Sequence, residues 1–168
     1  MGRATTEENK VEITFRSAKH SDNSTLRNMI YALYKEDQVD QPITDEKISA
    51  TFKELNQNQS RGQIIVFEKR RVIIGYAIVI FYWSNEYGGD ILHVDELYVK
   101  PEHRRRGVAT CFFRRLSEIF KDKARLMQLE VSPTNSIAMN YYRKLGFKQT
   151  RNAHLARDII PGNKSNSI

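Results

Sequence analysis

Val99-Lys100-Pro101-Glu102-His103-Arg104-Arg105-Arg106-Gly107-Val108-Ala109 lies between a predicted strand and a predicted helix, and the rest of the chain is understood outward from it. At a helix start the first backbone N–H groups have no partner inside the helix and point outward with the positive end of its dipole. Gly107 and Ala109 are small enough for a phosphate to approach those amides, and Arg104, Arg105 and Arg106 add charge at the same place. These are the physical requirements for holding a pyrophosphate. The stretch is not a nucleotide P-loop, which needs a longer glycine spacing and a Lys followed by Ser or Thr. Nor is it a dinucleotide fingerprint, since it holds a single glycine.

On the N-terminal side, Ile91–Lys100 reads as a strand. Gln63–Glu68 and Val72–Trp83 read as a hairpin closed by Lys69-Arg70-Arg71, the second strand being buried. Val11–Ala18 alternates as a first strand. Asp22 is the expected N-cap of a helix to about Lys35, with Leu26, Met29, Ile30 and Leu33 on one face. Thr44 opens a second helix to about Asn56. On the C-terminal side, Gly107–Lys121 is a third helix with Val108, Phe112, Leu116, Ile119 and Phe120 inward. Leu126–Val131 is a short strand, and Asn135–Leu145 a fourth helix stopped by Gly146. Phe147–Thr150 and His154–Ile160 read as closing strands. The pattern implies an α/β (α+β) domain: a mixed central sheet of six or seven strands with four helices on both faces. Ile91–Val131 forms a βαβ unit with parallel strands. The domain is expected over residues 11–160, with tails at 1–10 and 161–168.

The 168 residues suit one domain, and 40% hydrophobic with 28% charged composition allows a real core. No apolar run approaches the roughly 20 residues that span a bilayer, and the polar Met1–Lys10 is no secretory signal. The lone Cys111 excludes an intrachain disulfide and suits a reducing, cytoplasmic home. A net charge of +7 would by itself suggest nucleic acid. Its distribution argues otherwise: Val72–Val99 holds many of the aromatics but no Lys or Arg, and carries Glu86, Asp90, Asp95 and Glu96. An acidic segment beside a basic one suits a cationic substrate and an anionic cofactor, with no nucleic acid and no membrane as partner.

Arg104-x-x-Gly107-x-Ala109 resembles the Gln/Arg-x-x-Gly-x-Gly/Ala motif with which Gcn5-related (GNAT) N-acetyltransferases bind the pyrophosphate of coenzyme A. The preceding Asp95-Glu96-Leu97-Tyr98-Val99-Lys100-Pro101 is similar to the strand before that loop. Asn135-Ser136-Ile137-Ala138-Met139-Asn140-Tyr141-Tyr142-Arg143-Lys144-Leu145-Gly146-Phe147 resembles the family's Asn-x-x-Ala-x-x-Phe/Tyr-Tyr-x-x-x-Gly-Phe segment. The two segments occur in order on matching elements, and the element order agrees over Val11–Ile160.

The resemblance implies acetyl transfer from acetyl-CoA to a primary amine in a ternary complex, without a metal, in the manner of the diamine and polyamine members or of a small general acetyltransferase. It implies a β-bulge and a splay at the fourth strand. An amine of pKa about 10.4 is protonated at neutral pH and needs a base, and Asp95 and Glu96 are the candidates, directly or through a water. Tyr142 matches the tyrosine that protonates the leaving thiolate. Backbone groups of Leu97, Tyr98 and Val99, the turn Arg104, Arg105, Arg106, Gly107, Val108, Ala109 and Thr110, and Asn135, Ala138 and Tyr141 are expected at the cofactor. Asn135 also fits a helix cap. The family's acceptor-lining segments here supply Glu36, Asp37 and Asp40, then Trp83, Asn85, Glu86 and Tyr87, which would favour a cationic amine. His93 is a further proton-transfer candidate. His20, His93, His103 and His154 show no metal spacing. A homodimer is implied by family alone. The remaining alternative is a regulatory or scaffold domain that binds coenzyme A without turnover.

Overall fold

Arg70 and Arg71 both adopt positive φ (51° and 65°), the geometry of a tight two-residue turn whose twist matches that of antiparallel strands. The turn joins β2 (Gly62–Lys69) to β3 (Val72–Ser84), and the two pair along their length. The computed structural model describes residues 12–36, 41–152, 155–157 and 159. Its remaining elements are β1 (Ile13–Ser17), α1 (Asn23–Glu36), α2 (Asp45–Gln57), β4 (Gly89–Val99), α3 (Val108–Phe120), β5 (Ala124–Leu129) and α4 (Ser136–Lys144). The sheet order is β1-β2-β3-β4-β5; the first four strands are antiparallel neighbours, and β4 and β5 are parallel, as expected of a βαβ unit.

Residues of β2 alternate between two cores because both faces of the sheet are covered. Ile64 and Val66 join Leu26, Met29, Ile30, Ile48, Phe52 and Leu55 under α1 and α2. Ile65 and Phe67 join Val108, Phe112, Phe113 and Leu116 under α3, with Tyr141, Tyr142 and Leu145 of α4 packed at the rim. Each large apolar side chain so buried contributes about 1.5–3 kcal/mol.

Several expectations need correction. Among the described residues the sheet has five strands rather than six or seven: Phe147–Thr150 is not a strand, and residues 155–157 form none, while His154, Asp158 and Ile160 lie outside the described residues. Phe147 instead packs its ring on Phe113 and Tyr142, which ties the chain there to α3 and α4. Asp22 does not cap α1. It ends a short 3-10 turn (His20–Asp22), and its carboxylate reaches back to the Lys19 N–H (2.8 Å) and the Arg16 guanidinium (2.7 Å). Ile119 is 51% exposed, since Phe120 takes the inward place by packing on Phe81. Thr44 does cap α2, accepting from the Lys47 N–H.

Candidate active site

The site begins with one extra residue. Along the β3–β4 ladder Ile78 pairs with Glu96 and Val79 with Val94, so Asp95 has no opposite number and forms a bulge. A regular strand would send Asp95 and Glu96 to opposite faces. The bulge puts both on the α1/α2 face: Asp95 lies near His93 (Nε2–Oδ1 3.7 Å), and Glu96 accepts the Tyr76 hydroxyl at 2.7 Å. Tyr34 of α1 also hydrogen-bonds Glu96 and feels the charge of both carboxylates.

Burial shapes their chemistry. Loss of hydration holds Glu96 above the ordinary carboxylate range against the opposing hydrogen bonds from Tyr76 and Tyr34, and the Asp95 charge adds to the rise. Asp95 keeps 52% of its side chain open, yet desolvation again raises its pKa; the nearby His93 lowers it and Glu130 raises it further. The Tyr34 and Tyr76 hydroxyls are held protonated well above their usual range, first by burial and then by Glu96. A half-open carboxylate with raised basicity beside a buried, hydrogen-bonded one is chemically suited to accept a proton from an amine.

β4 parts from β5 at the same level. Their pairing covers Asp90–Val94 and stops at Leu129, so from Asp95 to Val99 β4 has a strand partner on its β3 side alone among the described residues. One main-chain edge of Leu97, Tyr98 and Val99 is therefore available to another chain or to a ligand. The Leu97 and Val99 side chains fill the α3/α4 core, and the Tyr98 ring is buried on the other face, so these residues offer backbone and little else.

Beyond Val99 a short 3-10 turn (Pro101–His103) leads into the basic turn. Arg105 and Gly107 take positive φ (59° and 76°), the left-handed conformation that recurs in turns whose successive amides bind anions. Gly107 is the N-cap of α3 and brings no side chain to satisfy its first N–H groups. A methyl group built on Gly107 would meet nothing within 4 Å, so the space beside its α-carbon is open. Arg105 and Arg106 are exposed and have no ion-pair partner among the described residues. Arg104 is differently placed. Its Nε donates to the Val99 carbonyl (2.7 Å), its Nη2 to both oxygens of Glu36 (2.9 and 2.8 Å), and its guanidinium lies 5.3 Å from the Tyr98 ring centre. It ties the end of α1 to the turn.

From α4, Tyr141 and Thr110 share a hydrogen bond of 3.0 Å, which joins α4 to the first turn of α3. The Tyr142 ring packs edge-on against Phe113 and Phe147. Asn135 caps α4, its side chain accepting from the Ala138 N–H at 3.0 Å. Thus β4, the start of α3 and the tyrosines of α4 share one packed unit.

The acceptor-lining expectations fare less well. Glu36 is committed to Arg104, and Asp37 and Asp40 lie outside the described residues. Trp83 pairs with Asp90, five residues and about 17 Å along β4 from Asp95, and Asn85, Glu86 and Tyr87 are in the exposed turn beyond it. The chain does not bring these four to the carboxylates. Residues that it does bring there, Tyr34 and Glu130, escaped the sequence reading. A tyrosine beside Leu33 on an apolar helix face, and the first charge after the β5 run, were the available signals. No His, Cys, Asp and Glu group suited to a metal occurs among the described residues.

The sheet opens at β4, with paired carboxylates at the opening, and the strand leads to a helix start whose first N–H groups no side chain caps; these features define an α/β domain with a split central sheet. The acetyltransferase (GNAT) family pattern matches residues 27–147. The chain belongs to that family. Among characterised relatives, it is 32% identical over 75 residues to the thialysine N-epsilon-acetyltransferase of Bos taurus, and 35% identical over 52 residues to that of Caenorhabditis elegans. The match to the Bos taurus protein spans 44% of this chain and 44% of that protein, so the chain spans under half the length of such relatives. Its fold is like that of a possible acetyltransferase from Clostridium difficile 630 (TM-score 0.77, 22% identity, 88% of this chain and 98% of that one). It is also like that of AAC(6')-Iy in complex with the bisubstrate analogue CoA-S-monomethyl-acetylneamine (TM-score 0.72, 20% identity, 88% and 98%). At these identities the structural likeness speaks for the fold.

Proposed function

We propose that this chain transfers an acetyl group from acetyl-CoA to a cationic primary amine by direct attack within a ternary complex. The observation that carries the proposal is the bulge at Asp95, which sets two carboxylates of raised basicity where β4 loses its β5 partner and leads toward the open start of α3. The turn fits the carrier: Gly107 leaves room beside its α-carbon at the helix start, and Arg105 and Arg106 supply the counter-charge to a diphosphate. Acetyl-CoA supplies the acetyl group as a thioester.

The residues divide the work. Asp95, directly or through a water, takes a proton from the ammonium group so that its nitrogen lone pair can attack the carbonyl carbon. The Leu97 backbone amide donates to the oxyanion that develops there. Tyr142 gives its phenolic proton to the departing thiolate, so that coenzyme A leaves as the thiol, and the phenolate takes back the second proton that the acylated nitrogen sheds, directly or through a water. Glu96 is fixed by Tyr76 and Tyr34 and adds negative charge; with Asp95 and Glu130 it makes the recess attractive to a cation. The names of the relatives favour a lysine-like side-chain amine. A homodimer and a cytoplasmic location belong to the same proposal, on family resemblance and the lone Cys111 respectively.

The test is coenzyme A release with lysine analogues, polyamines, lysine peptides and aminoglycosides. Tyr142→Phe and Asp95→Asn should each lower turnover about 100-fold, with coenzyme A affinity within a few-fold of the parent. Saturable cofactor binding without turnover on any amine would favour the regulatory alternative. Unchanged turnover in both variants would remove the assigned roles.

A further inference from the structure

His93 stands two residues before Asp95 on the same face of β4, with 18% of its side chain exposed. Its two ring nitrogens have different neighbours. Nδ1 faces the Gln128 amide of β5, whose Nε2 lies 3.3 Å away, and the same amide nitrogen donates its other proton to the Tyr82 hydroxyl of β3. An amide nitrogen has two protons and no lone pair to offer, so it makes Nδ1 the acceptor. The ring proton then resides on Nε2, which lies 3.7 Å from Asp95 Oδ1. That separation exceeds a hydrogen bond, and contacts of this kind shorten when a substrate is seated. Gln128 is opposite His93 in the last paired stretch of β4 and β5, immediately before the strands part.

We infer that Gln128 fixes the His93 tautomer so that Nε2–H orients the Asp95 carboxylate toward the acceptor amine, making His93 and Gln128 positioning residues for the base. The inference rests on the proposed acetyl transfer and adds to it which groups aim the carboxylate. No proton passes through His93, because its second nitrogen is engaged by the amide. The charged and titratable groups around this pair are Glu96 on β4, Glu130 after β5, Tyr34 on α1 and Tyr82 on β3.

The experiment uses the full chain. In wild type, imidazole nitrogen-15 spectra, with the His93 signal assigned by its loss in His93→Phe, should show a protonated Nε2 and an unprotonated Nδ1. Gln128→Leu should convert this to a mixture of tautomers. In His93→Phe, the Asp95 carboxyl followed by carbon-13 NMR should titrate at higher pH than in wild type. The acid limb of kcat/KM for a cationic amine should move with it, and kcat should fall about tenfold with little change in KM. His93→Gln restores an N–H donor and should recover most of both. A His93 ring protonated on Nδ1, or an Asp95 titration indifferent to His93→Phe, would overturn the inference. Absence of wild-type turnover on every amine would refute the proposed function, while the imidazole and carboxyl spectra would still decide this point.

Discussion

Two glycines that look alike in the sequence should separate fold from cofactor binding when each is changed to alanine. Gly107 has φ of 76°, and a methyl group there would touch nothing within 4 Å. Gly75, on β3, has no positive φ, but its methyl group would stand 2.5 Å from the Tyr98 carbonyl oxygen and 2.9 Å from a ring carbon of Phe67. Gly107→Ala therefore costs only the left-handed backbone conformation, about 1 kcal/mol, which lowers the melting temperature by a few degrees in a domain of this size. Gly75→Ala forces β3 from β4 or displaces a fully buried ring, at a cost of about 1–3 kcal/mol. Affinity should rank them the other way. The backbone cost at Gly107 is present with and without cofactor and cancels from the binding equilibrium, which leaves the new methyl group in the space a diphosphate must enter. Calorimetric titration with coenzyme A should show at least a tenfold weaker Kd for Gly107→Ala, about 1.4 kcal/mol, and a Kd within about threefold for folded Gly75→Ala. Urea melts of the two free proteins give the stability ranking. If Gly107→Ala loses about 1 kcal/mol of stability yet binds coenzyme A as tightly as the parent, the amides at the start of α3 do not hold the phosphates.

Glu96→Gln should stabilise the protein at neutral pH. The folded pKa is raised, so this group's stabilising contribution is full below the unfolded value and is lost as pH rises through the folded one. The amide removes that loss and can still accept from Tyr76; a rise in melting temperature at pH 7 that shrinks toward pH 4 is expected, and a fall at both would refute the assigned burial cost. Asp22→Asn should behave in the opposite sense. The Arg16 hydrogen bond holds the Asp22 carboxyl below its ordinary range, so its contribution is complete above about pH 4 and disappears as pH falls through the folded value. The variant should lose about 1.5–3 kcal/mol at pH 7, and its deficit should narrow in denaturant melts toward pH 3; a deficit independent of pH would point to shape rather than charge.

The parts of this molecule that follow local rules were legible in the residues. Thr44 caps, Asn135 caps, Gly146 takes the left-handed conformation after α4, and Arg70-Arg71 turns the hairpin. The basic turn and the Asn135–Phe147 segment carried the family because each combines several constraints over a short span. Non-local choices were harder. Asp22 has the chemistry of a helix cap, but an arginine brought across from β1 and the Lys19 amide compete for its carboxylate. Phe147–Thr150 has strand-forming residues, but aromatic packing on Phe113 and Tyr142 draws its first residue to the helices. The tip residues Trp83 to Tyr87 were adjacent to the site by family analogy, whereas the length of β4 sets them apart from it. Arg104 was assigned by motif to the phosphates; its engagement by Glu36, sixty-eight residues away, could not be read from the turn itself.

The unpaired residue in β4 also changes the parity of the strand. Before it, even-numbered Leu92 and Val94 point to the α3/α4 core; after it, odd-numbered Leu97 and Val99 do. Flattening the bulge with Asp95 kept in the strand would invert everything downstream, exchanging Tyr98 with its aliphatic neighbours between the two interiors, whereas deleting Asp95 would restore alternation and leave them in place. The carboxylate pair is thus locked to the hydrophobic phase of the strand. Its members can be altered chemically, one side chain at a time, but the bulge cannot move along β4 without reversing the facing of every residue it passes.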